Sequence, residues 1–321
     1  MRIAVTGGTG FVGGHLAQRL AAEGHEVVVL SRGVDQRERA AATAGTPGIR
    51  VARGTVLDEA ALRAAFEGCD AVAHCAGVNR EVGEQTFAAV HVDGTRNVVA
   101  AAEAAGVRRL VLLSFLRARP ACGSPYHETK WAAEELVRAS SLDWTVLKPG
   151  MVYGRGDHFT DHLSHALFTF PVYVGIGAQP VAPLWVGDLV DVLVAALVEG
   201  RLARRTVPVL GPERLGFDDA VRRIAGVLGR RVRVVRLPMA FHEVLGWVTE
   251  RVMTVPLVAR AQVRMLREGI VDPVLAPDAL PDDLLPRTAF AEPAIRAALP
   301  PRGGFTRRDL RCVNDPLVRV G

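Results

Sequence analysis

Short hydrophobic runs alternate with longer amphipathic segments along the first half of the chain. Continuous apolar runs are typical of strands buried on both faces, and the longer segments repeat their apolar residues at helical spacing. We predict strands at residues 2–6, 26–30, 49–53, 71–75, 109–114 and 144–147. A helix with an alanine, valine and phenylalanine stripe is predicted at residues 85–105. This alternation indicates a doubly wound α/β fold around a parallel sheet.

The pattern becomes less regular beyond about residue 150. Helices are predicted at residues 159–168, 187–199, 217–228, 238–250 and 256–267. The last fifty residues contain eight prolines, which prevent long regular elements, so we expect a wrapping tail. The prediction is a sheet domain over 1–155, with further sheet elements to about 210, and a smaller, irregular substrate-binding part over 156–321.

Composition and charge narrow the class of protein. The 321 residues are 49% hydrophobic and 23% charged, which is typical of a globular protein. The chain begins on a strand pattern and its four cysteines form no CxxC pair, so we expect a reduced, cytoplasmic protein. Charges interrupt every apolar stretch, so no spanning helix is expected. The net charge of +5 would suit a nucleic acid, but aromatic residues make up only 6% of the chain. Nucleic-acid binding is therefore not expected.

A glycine-rich turn, TGGTGFVG, follows the first predicted strand and opens a helix. Gly7 permits a tight turn, Gly10 lets the backbone approach a pyrophosphate, and Gly13 lets the helix pack on the sheet. The helix N-terminus favours the anion. The alternative is a tight turn that binds no ligand. The turn predicts a dinucleotide site that includes Gly7, Thr9, Gly10, Phe11, Val12 and Gly13.

The end of the second predicted strand indicates which dinucleotide binds. An NAD-specific site normally has an acidic residue here, whereas residues 30–33 read LSRG. Ser31 and Arg32 can instead hold a 2′-phosphate, with Arg37 or Arg39 as helpers. We therefore expect NADP(H) rather than NAD(H). The alternative is that Arg32 is a solvated loop residue.

Tyr126 and Lys130 form a YxxxK pair, whose spacing places both on one face of a helix. The charges of Lys130 and of an oxidised nicotinamide are predicted to lower the pKa of Tyr126, towards the range useful for proton transfer at a carbonyl oxygen. Ser114 ends the fifth predicted strand, where its hydroxyl can bind the same oxygen. Alone, the pair is common by chance and is then an ordinary feature of a helix surface.

Together these motifs resemble the short-chain dehydrogenase/reductase superfamily over about residues 1–200. The resemblance rests on the glycine-rich turn, AHCAG at 73–77, Ser114, the YxxxK pair and KPGMVYG at 148–154. The short interval between Ser114 and Tyr126, and the stretch at 256–269, are similar to its extended, atypical branch. That branch contains NAD-dependent epimerases and dehydratases and the nucleotide-binding accessory subunit of respiratory complex I.

The resemblance implies a catalytic set and further coenzyme contacts. The implied catalytic residues are Ser114, Tyr126 and Lys130. The implied coenzyme contacts, besides the turn, are Cys75, Ala76, Gly77, Lys130, Pro149, Gly150, Met151 and Val152. Four positions depart from the family pattern. Thr55 replaces an acidic residue, His91 an asparagine, Lys148 an arginine and Trp185 a histidine.

We expect an NADP(H)-dependent oxidoreductase that moves a hydride between nicotinamide and a carbonyl or alcohol carbon, with Tyr126 transferring the proton. The alternatives are an epimerase or dehydratase of the sugar-nucleotide type, and a nucleotide-binding structural or redox-sensing partner without turnover. A small-molecule substrate is expected, and the question whether the chain forms a homo-oligomer is left open.

Two further segments carry weaker signals. The apolar, arginine-bearing segment 237–266 suggests membrane or quinone association, although two ordinary packed helices are favoured. His158, His162 and His165 share one predicted helical face. They lack the HExxH pattern, so we expect substrate contact there rather than a metal.

Overall fold

The structure, a computed structural model, describes residues 1–32, 45–175, 179–252, 260–301 and 303–304. By their internal contacts these residues form two units. The first unit comprises Met1–Pro149, Val186–Val209 and Pro273–Leu285. The second comprises Gly150–Trp185, Leu210–Asp272 and the described residues from Pro286 onwards. None of the described helices is long and apolar enough to cross a membrane.

A seven-stranded parallel sheet forms the centre of the first unit. Its strands are β1 (Arg2–Thr6), β2 (Glu26–Ser31), β3 (Ile49–Arg53), β4 (Ala71–His74), β5 (Arg109–Leu113), β6 (Asp143–Pro149) and β11 (Arg205–Val209). They lie in the order β11-β6-β5-β4-β1-β2-β3. This is the doubly wound Rossmann sheet that the sequence predicts, and the six predicted strands agree with the observed bounds to within two residues.

Helices cover both faces of this sheet. They are α1 (Phe11–Ala22), α2 (Glu59–Phe66), α3 (Gly94–Ala104), α4 (Pro125–Arg138) and α6 (Val186–Leu197). Helices α1 and α6 pack together on one face, and α2, α3 and α4 pack side by side on the other. Alternate strand residues therefore face different helices, which explains why the strands are apolar on both sides.

The segment before α3 departs from the predicted helix at 85–105. Residues Ala88–Asp93 form a π-helical turn, and the regular α-helix begins only at Gly94. A π-helical turn places one extra residue in the turn and is frequent at functional sites. This turn contains His91, one of the departures from the family pattern.

The second unit is built from short strands and helices. Its strands are β7 (Val152–Tyr153), β8 (Val172–Gly175), β9 (Pro180–Val181), β10 (Leu184–Trp185), β12 (Leu215–Gly216) and β13 (Arg233–Arg236). They pair as β7 with β10, β9 with β12, and β8 with β13. Its helices are α5 (His158–Thr169), α7 (Phe217–Val227), α8 (Met239–Val252), α9 (Arg260–Glu268) and α10 (Glu292–Ala298).

The described residues of the proline-rich end of the chain form short regular elements. Among its described residues, regular elements are a 3-10 turn at Asp282–Leu284 and the seven-residue helix α10. The part that belongs to the first unit, Pro273–Leu285, is held there by polar contacts. The Arg201 guanidinium donates to both carboxylate oxygens of Asp283, at 2.6 and 2.9 Å, and the Thr206 N–H donates to Asp278 at 2.8 Å.

Candidate coenzyme and active site

A cavity of about 580 Å³ lies at the carboxyl edge of the sheet in the first unit. It lies where the strand order reverses between β1 and β4, the place at which open α/β sheets bind ligands. Its lining comes from the end of β2 and from the segments that follow β1 to β4: Gly7, Thr9, Gly10, Leu30, Ser31, Arg32, Gly54, Thr55, Val56, Leu57, Cys75, Ala76, Gly77 and Val78. Val82, Glu84, Gln85 and Val90 complete it.

The glycine-rich turn has the geometry that a pyrophosphate site requires. Gly7 has a φ of +69°, and a Cβ there would lie 2.8 Å from the backbone of Ala76. A Cβ on Gly13 would lie 2.4 Å from the Gly7 carbonyl oxygen, so α1 packs this closely only because the position lacks a side chain. The N-cap of α1 is Gly10, and its first turn contains no acidic residue. The helix dipole therefore favours an anion at this end of the cavity.

The predicted turn residues divide between the cavity and the helix. Gly7, Thr9 and Gly10 line the cavity, whereas Phe11, Val12 and Gly13 form the first turn of α1. In that turn the Phe11 ring packs edge-to-face on His15 at a centroid distance of 5.5 Å.

The end of β2 lies beside the glycine-rich turn. Ser31 and Arg32 both line the cavity, and Ser31 Oγ is 3.4 Å from Thr9 Oγ1. Glu84 is the acidic residue among the described lining residues, and it lies in the segment after β4 rather than at the end of β2. The predicted helpers Arg37 and Arg39 lie outside the described residues.

Lys130 extends from α4 to the wall of the cavity. Its ammonium donates to the Leu113 carbonyl oxygen at 3.2 Å and lies 3.2 Å from the point that a Cβ on Gly77 would occupy. Since Gly77 lines the cavity, this positive charge lies next to the cavity. Burial lowers the pKa of Lys130 to about 8, and the Glu134 carboxylate partly offsets that effect. Burial also raises the pKa of the Cys75 thiol to about 12.

The segment predicted to contact the nicotinamide side is shared between the two units. Pro149 ends β6 in the first unit, and its carbonyl accepts from the Leu116 N–H at 3.0 Å. Gly150, Met151 and Val152 belong to the second unit, where Val152 pairs with Leu184. Their contact with a coenzyme stays a prediction.

Tyr126 lies in the first turn of α4 and is buried among aromatic rings. Phe87, His91 and Phe115 all pack edge-to-face on it, at centroid distances of 5.5 to 5.6 Å. Burial raises the pKa of the Tyr126 hydroxyl above its usual range. Burial thus acts against the predicted lowering of this pKa by Lys130 and an oxidised nicotinamide, because the loss of hydration disfavours the phenolate.

Ser114 follows β5, and its hydroxyl donates to Glu134 at 2.5 Å. The same carboxylate accepts from the Lys148 ammonium at 3.0 Å and from the Arg138 guanidinium at 2.6 Å. The side chains of Glu134 and Lys148 are 0% exposed. The structure thus brings Tyr126 and Lys130 onto one buried face of α4. The Ser114 hydroxyl instead donates its proton to a buried ionic network of Glu134, Lys148 and Arg138, which we call the Glu134 network.

His91 joins the segment after β4 to α4. The Val78 N–H donates to His91 Nε2 at 3.2 Å, and Nδ1 lies 3.0 Å from the Thr129 hydroxyl. That hydroxyl donates to the Pro125 carbonyl at 2.6 Å, so the hydrogen-bond pattern assigns the imidazole proton to Nδ1. Burial, together with the charge of Lys130, lowers the pKa of His91, and the ring is neutral.

Comparison with known proteins places this geometry in a family. A protein-family model described as NAD(P)H-binding matches residues 7–161. Ceramide reductase of Caulobacter vibrioides is 32% identical over 245 residues, which span 74% of this chain and 73% of that protein. The chain belongs to the extended branch of the short-chain dehydrogenase/reductase superfamily.

Other members of the superfamily differ in the roles that their names state. Photosystem II assembly factor Ycf39 of Synechocystis sp. is 28% identical over 75% of this chain and 72% of its own length. Subunit 9 of the NADH dehydrogenase (ubiquinone) 1 alpha subcomplex of Arabidopsis thaliana is 27% identical over 75% of this chain and 61% of its own. This confirms the resemblance to the complex I accessory subunit.

A solved structure supports the fold. UDP-glucuronic acid 4-epimerase from Bacillus cereus, in complex with UDP-glucuronic acid and NAD, matches with a TM-score of 0.70 at 18% identity. The match covers 93% of this chain and 98% of that one. At this identity the likeness shows the shared fold alone.

The departures from the superfamily pattern have different structural roles. Lys148 is the buried partner of Glu134, and His91 connects two segments beside Tyr126. Thr55 lines the cavity, where its hydroxyl accepts from the Leu57 N–H at 3.1 Å. In the second unit, the Trp185 ring packs against Tyr153 at 5.3 Å.

Several site residues are missed by sequence motifs. Apart from Thr55, the lining residues at 54–57 belong to no motif, but they follow β3, and the rule that parallel strands end at a common edge is enough to find them. Glu134 lies four residues beyond Lys130, as Lys130 lies four beyond Tyr126, and this spacing places a carboxylate on the same helical face. Phe115 and Phe87 carry no comparable signal, because their contact with Tyr126 depends on tertiary packing.

The three histidines on α5 do not form a metal site. His158 and His162 have ring centroids 5.5 Å apart. Across the part of the chain that the structure describes, no group of three or more histidine, cysteine or acidic side chains is placed to hold a metal ion.

Proposed function

We propose that this protein is an NADP(H)-dependent oxidoreductase that reduces a carbonyl group of a small molecule. The observation that carries the proposal is the placement of Tyr126 and Lys130 on one buried face of α4, with the Lys130 ammonium beside the cavity at Gly77. The name of the related ceramide reductase supports reductase chemistry. The epimerase alternative draws on structures that share the fold alone.

Tyr126 carries the proton that the reduction of a carbonyl requires. A dinucleotide held in the cavity would supply the hydride for the carbonyl carbon and would itself be oxidised. Tyr126 would donate its proton to the carbonyl oxygen, which completes the alcohol. Because burial raises the pKa of the Tyr126 hydroxyl, this group is protonated near neutral pH and suited to donate.

The turnover test uses purified protein, NADPH and a panel of aldehydes and ketones, with oxidation of the reduced nicotinamide as the measurement. We expect Tyr126→Phe to lower kcat by about 100-fold or more, because general acid catalysis contributes at least that factor. Tyr153→Phe is the matched control. Tyr153 is a buried tyrosine whose hydroxyl donates to the Ala289 carbonyl within the second unit. Equal activity of Tyr126→Phe and the wild type on a good substrate contradicts the proposal.

Ser31 and Arg32 support NADP(H) over NAD(H). A hydroxyl and a guanidinium at the end of β2 can bind a 2′-phosphate by charge-assisted hydrogen bonds. We expect Arg32→Ala to weaken NADPH binding by roughly 10- to 100-fold, as for the loss of a charged hydrogen bond, and to leave NADH binding nearly unchanged. Arg63→Ala, an exposed arginine on α2, is the control. Equal weakening of both nucleotides assigns Arg32 another role.

A second candidate function is a nucleotide-binding partner protein without turnover. The observation that favours it is the Ser114 hydrogen bond to Glu134, which directs the hydroxyl to a buried carboxylate, while the Phe115 ring packs against Tyr126. The name of the related assembly factor Ycf39 agrees with it. This candidate gains if the protein binds NADPH that no carbonyl compound oxidises, and if Ser114→Ala leaves NADPH binding unchanged.

A further inference from the structure

Helix α8 in the second unit exposes an apolar face. Among its residues whose side chains the structure describes, the buried ones are His242, Gly246 and Thr249, and Leu245 is half-buried. Its exposed positions include large apolar side chains, at Phe241, Val244, Trp247 and Val248. A helix on a soluble protein normally turns its apolar stripe to the core. We call these four exposed residues the α8 face.

The exposure on this face is substantial. Phe241 is 43% exposed and Val244 is 62% exposed. The buried side of the helix is meanwhile fixed by a polar contact, because His242 Nε2 lies 3.3 Å from the Gly175 carbonyl oxygen at the end of β8. Contiguous apolar surface of this kind marks an interaction site more often than a solvated helix.

The segment of sequence that contains α8 carries a net positive charge. Residues 230–268 contain eight arginines and three glutamates, a net charge of +5, which equals the net charge of all 321 residues. The rest of the chain is therefore neutral overall. Exposed arginines lie shortly before the helix, at Arg231 and Arg233. Arg236 and Arg267 are exposed as well, but they pair with the carboxylates of Asp218 and Glu243, each at 2.8 Å. The apolar face is thus preceded in sequence by two exposed arginines.

We propose that the α8 face binds the surface of an anionic lipid bilayer, with the helix lying in the headgroup region. The apolar side chains enter the boundary with the acyl chains, and the arginines pair with lipid phosphates. A helix of 14 residues is about 21 Å long, shorter than the hydrocarbon core, so it lies in the interface plane. A second copy of the chain fits this face poorly, because it presents the same net positive charge.

Vesicle binding of the full chain tests the proposal. Co-sedimentation is measured with phosphatidylcholine vesicles, with and without phosphatidylglycerol, at low and high salt. We expect binding only to the anionic vesicles, weakened by salt. Phe241→Ser should lower the partition coefficient by about tenfold or more. Arg231→Gln and Arg233→Gln should each lower it by about fivefold.

The controls separate a surface effect from a loss of folding. Leu285→Ser replaces a leucine of the first unit that is 48% exposed, and we expect it to bind vesicles as the wild type does. All variants change exposed side chains and should keep the wild-type Tm. A blue shift of tryptophan emission on anionic vesicles should occur in the wild type and be lost in Trp247→Phe.

Three outcomes overturn the proposal. The first is equal binding to neutral and anionic vesicles, or no binding to either. The second is a Phe241→Ser variant that binds as well as the wild type, since the arginines alone would then act as a general anion-binding surface. The third is self-association of the wild type that Phe241→Ser abolishes, which would assign the α8 face to a second copy of the chain. NADPH oxidation is not part of this test, so its result is independent of the proposed function.

Discussion

The coenzyme side of the site and the side proposed to transfer the proton, which we call the proton-transfer side, are built in different ways. On the coenzyme side, bare backbone and a helix N-terminus border an open cavity, and Gly7 and Gly13 matter because they lack a side chain. On the proton-transfer side, aromatic rings enclose Tyr126, and the Glu134 network fills the space behind Ser114. The nucleotide cavity depends on two glycines that lack side chains, whereas the surroundings of Tyr126 and Ser114 are set by closely packed side chains.

The largest expected effect is a loss of stability, and it tests whether the proton-transfer side requires its buried ion pair. Glu134→Gln leaves the fully buried Lys148 ammonium without a counter-charge, and we expect a loss of about 3 to 5 kcal/mol of unfolding free energy. Urea unfolding measures it. The matched control is Glu135→Gln on the same helix, because Glu135 pairs with the same Arg138 but is 55% exposed, and its loss should be about 1 kcal/mol or less. Equal losses in the two variants would remove the contrast between the two sides.

Adjacent glycines in α1 test whether the coenzyme side depends on an absent side chain. We expect Gly13→Ala to cost about 1 to 3 kcal/mol and to weaken NADPH binding, because its Cβ would lie 2.4 Å from the Gly7 carbonyl oxygen. Gly14→Ala is the matched control, since its Cβ would lie 3.5 Å from the nearest atom. That variant should be neutral or gain up to about 1 kcal/mol from helix propensity. Thermal unfolding and NADPH titration measure both effects.

The pH dependence of NADPH binding tests the residue that links the two sides. The pKa of Lys130 is about 8, so its charge is present below that pH and lost above it. We expect NADPH affinity to fall by about tenfold as the pH rises through 8, as for one charge-assisted hydrogen bond. Lys130→Arg should flatten this step, because a guanidinium stays charged. An unchanged step in Lys130→Arg would assign the titration to another group.

The same pKa shift fixes the sign of a stability change. The pKa of Lys130 is lowered from 10.5 by burial, so between pH 8 and 10.5 the unfolded chain holds more protons than the folded one. Unfolding free energy contributed by this group therefore rises with pH across that window. Urea unfolding of the wild type and of Lys130→Met at the two ends of the window separates this contribution from other titrations.

The sequence predicts the coenzyme side better than the proton-transfer side. Hydrophobic runs locate the strands, and the glycine spacing locates the turn, because both follow from local backbone requirements. The orientation of Ser114 and the raised pKa of Tyr126 depend on burial among residues distant in sequence, such as Phe87 and Lys148. Local patterns do not describe such packing. The exposed apolar stripe of α8 shows the same limit, since a helical period does not say which side faces the core.

The two edges of the central sheet carry residues that discourage further strand pairing. Edge strand β11 contains Pro208, which has no N–H to offer a new neighbour. The opposite edge strand, β3, exposes Arg50 and Arg53. Proline and charged side chains on edge strands protect proteins against aggregation by sheet extension. Oligomers of this chain, where they form, are therefore expected to use helical surfaces rather than a continuous sheet.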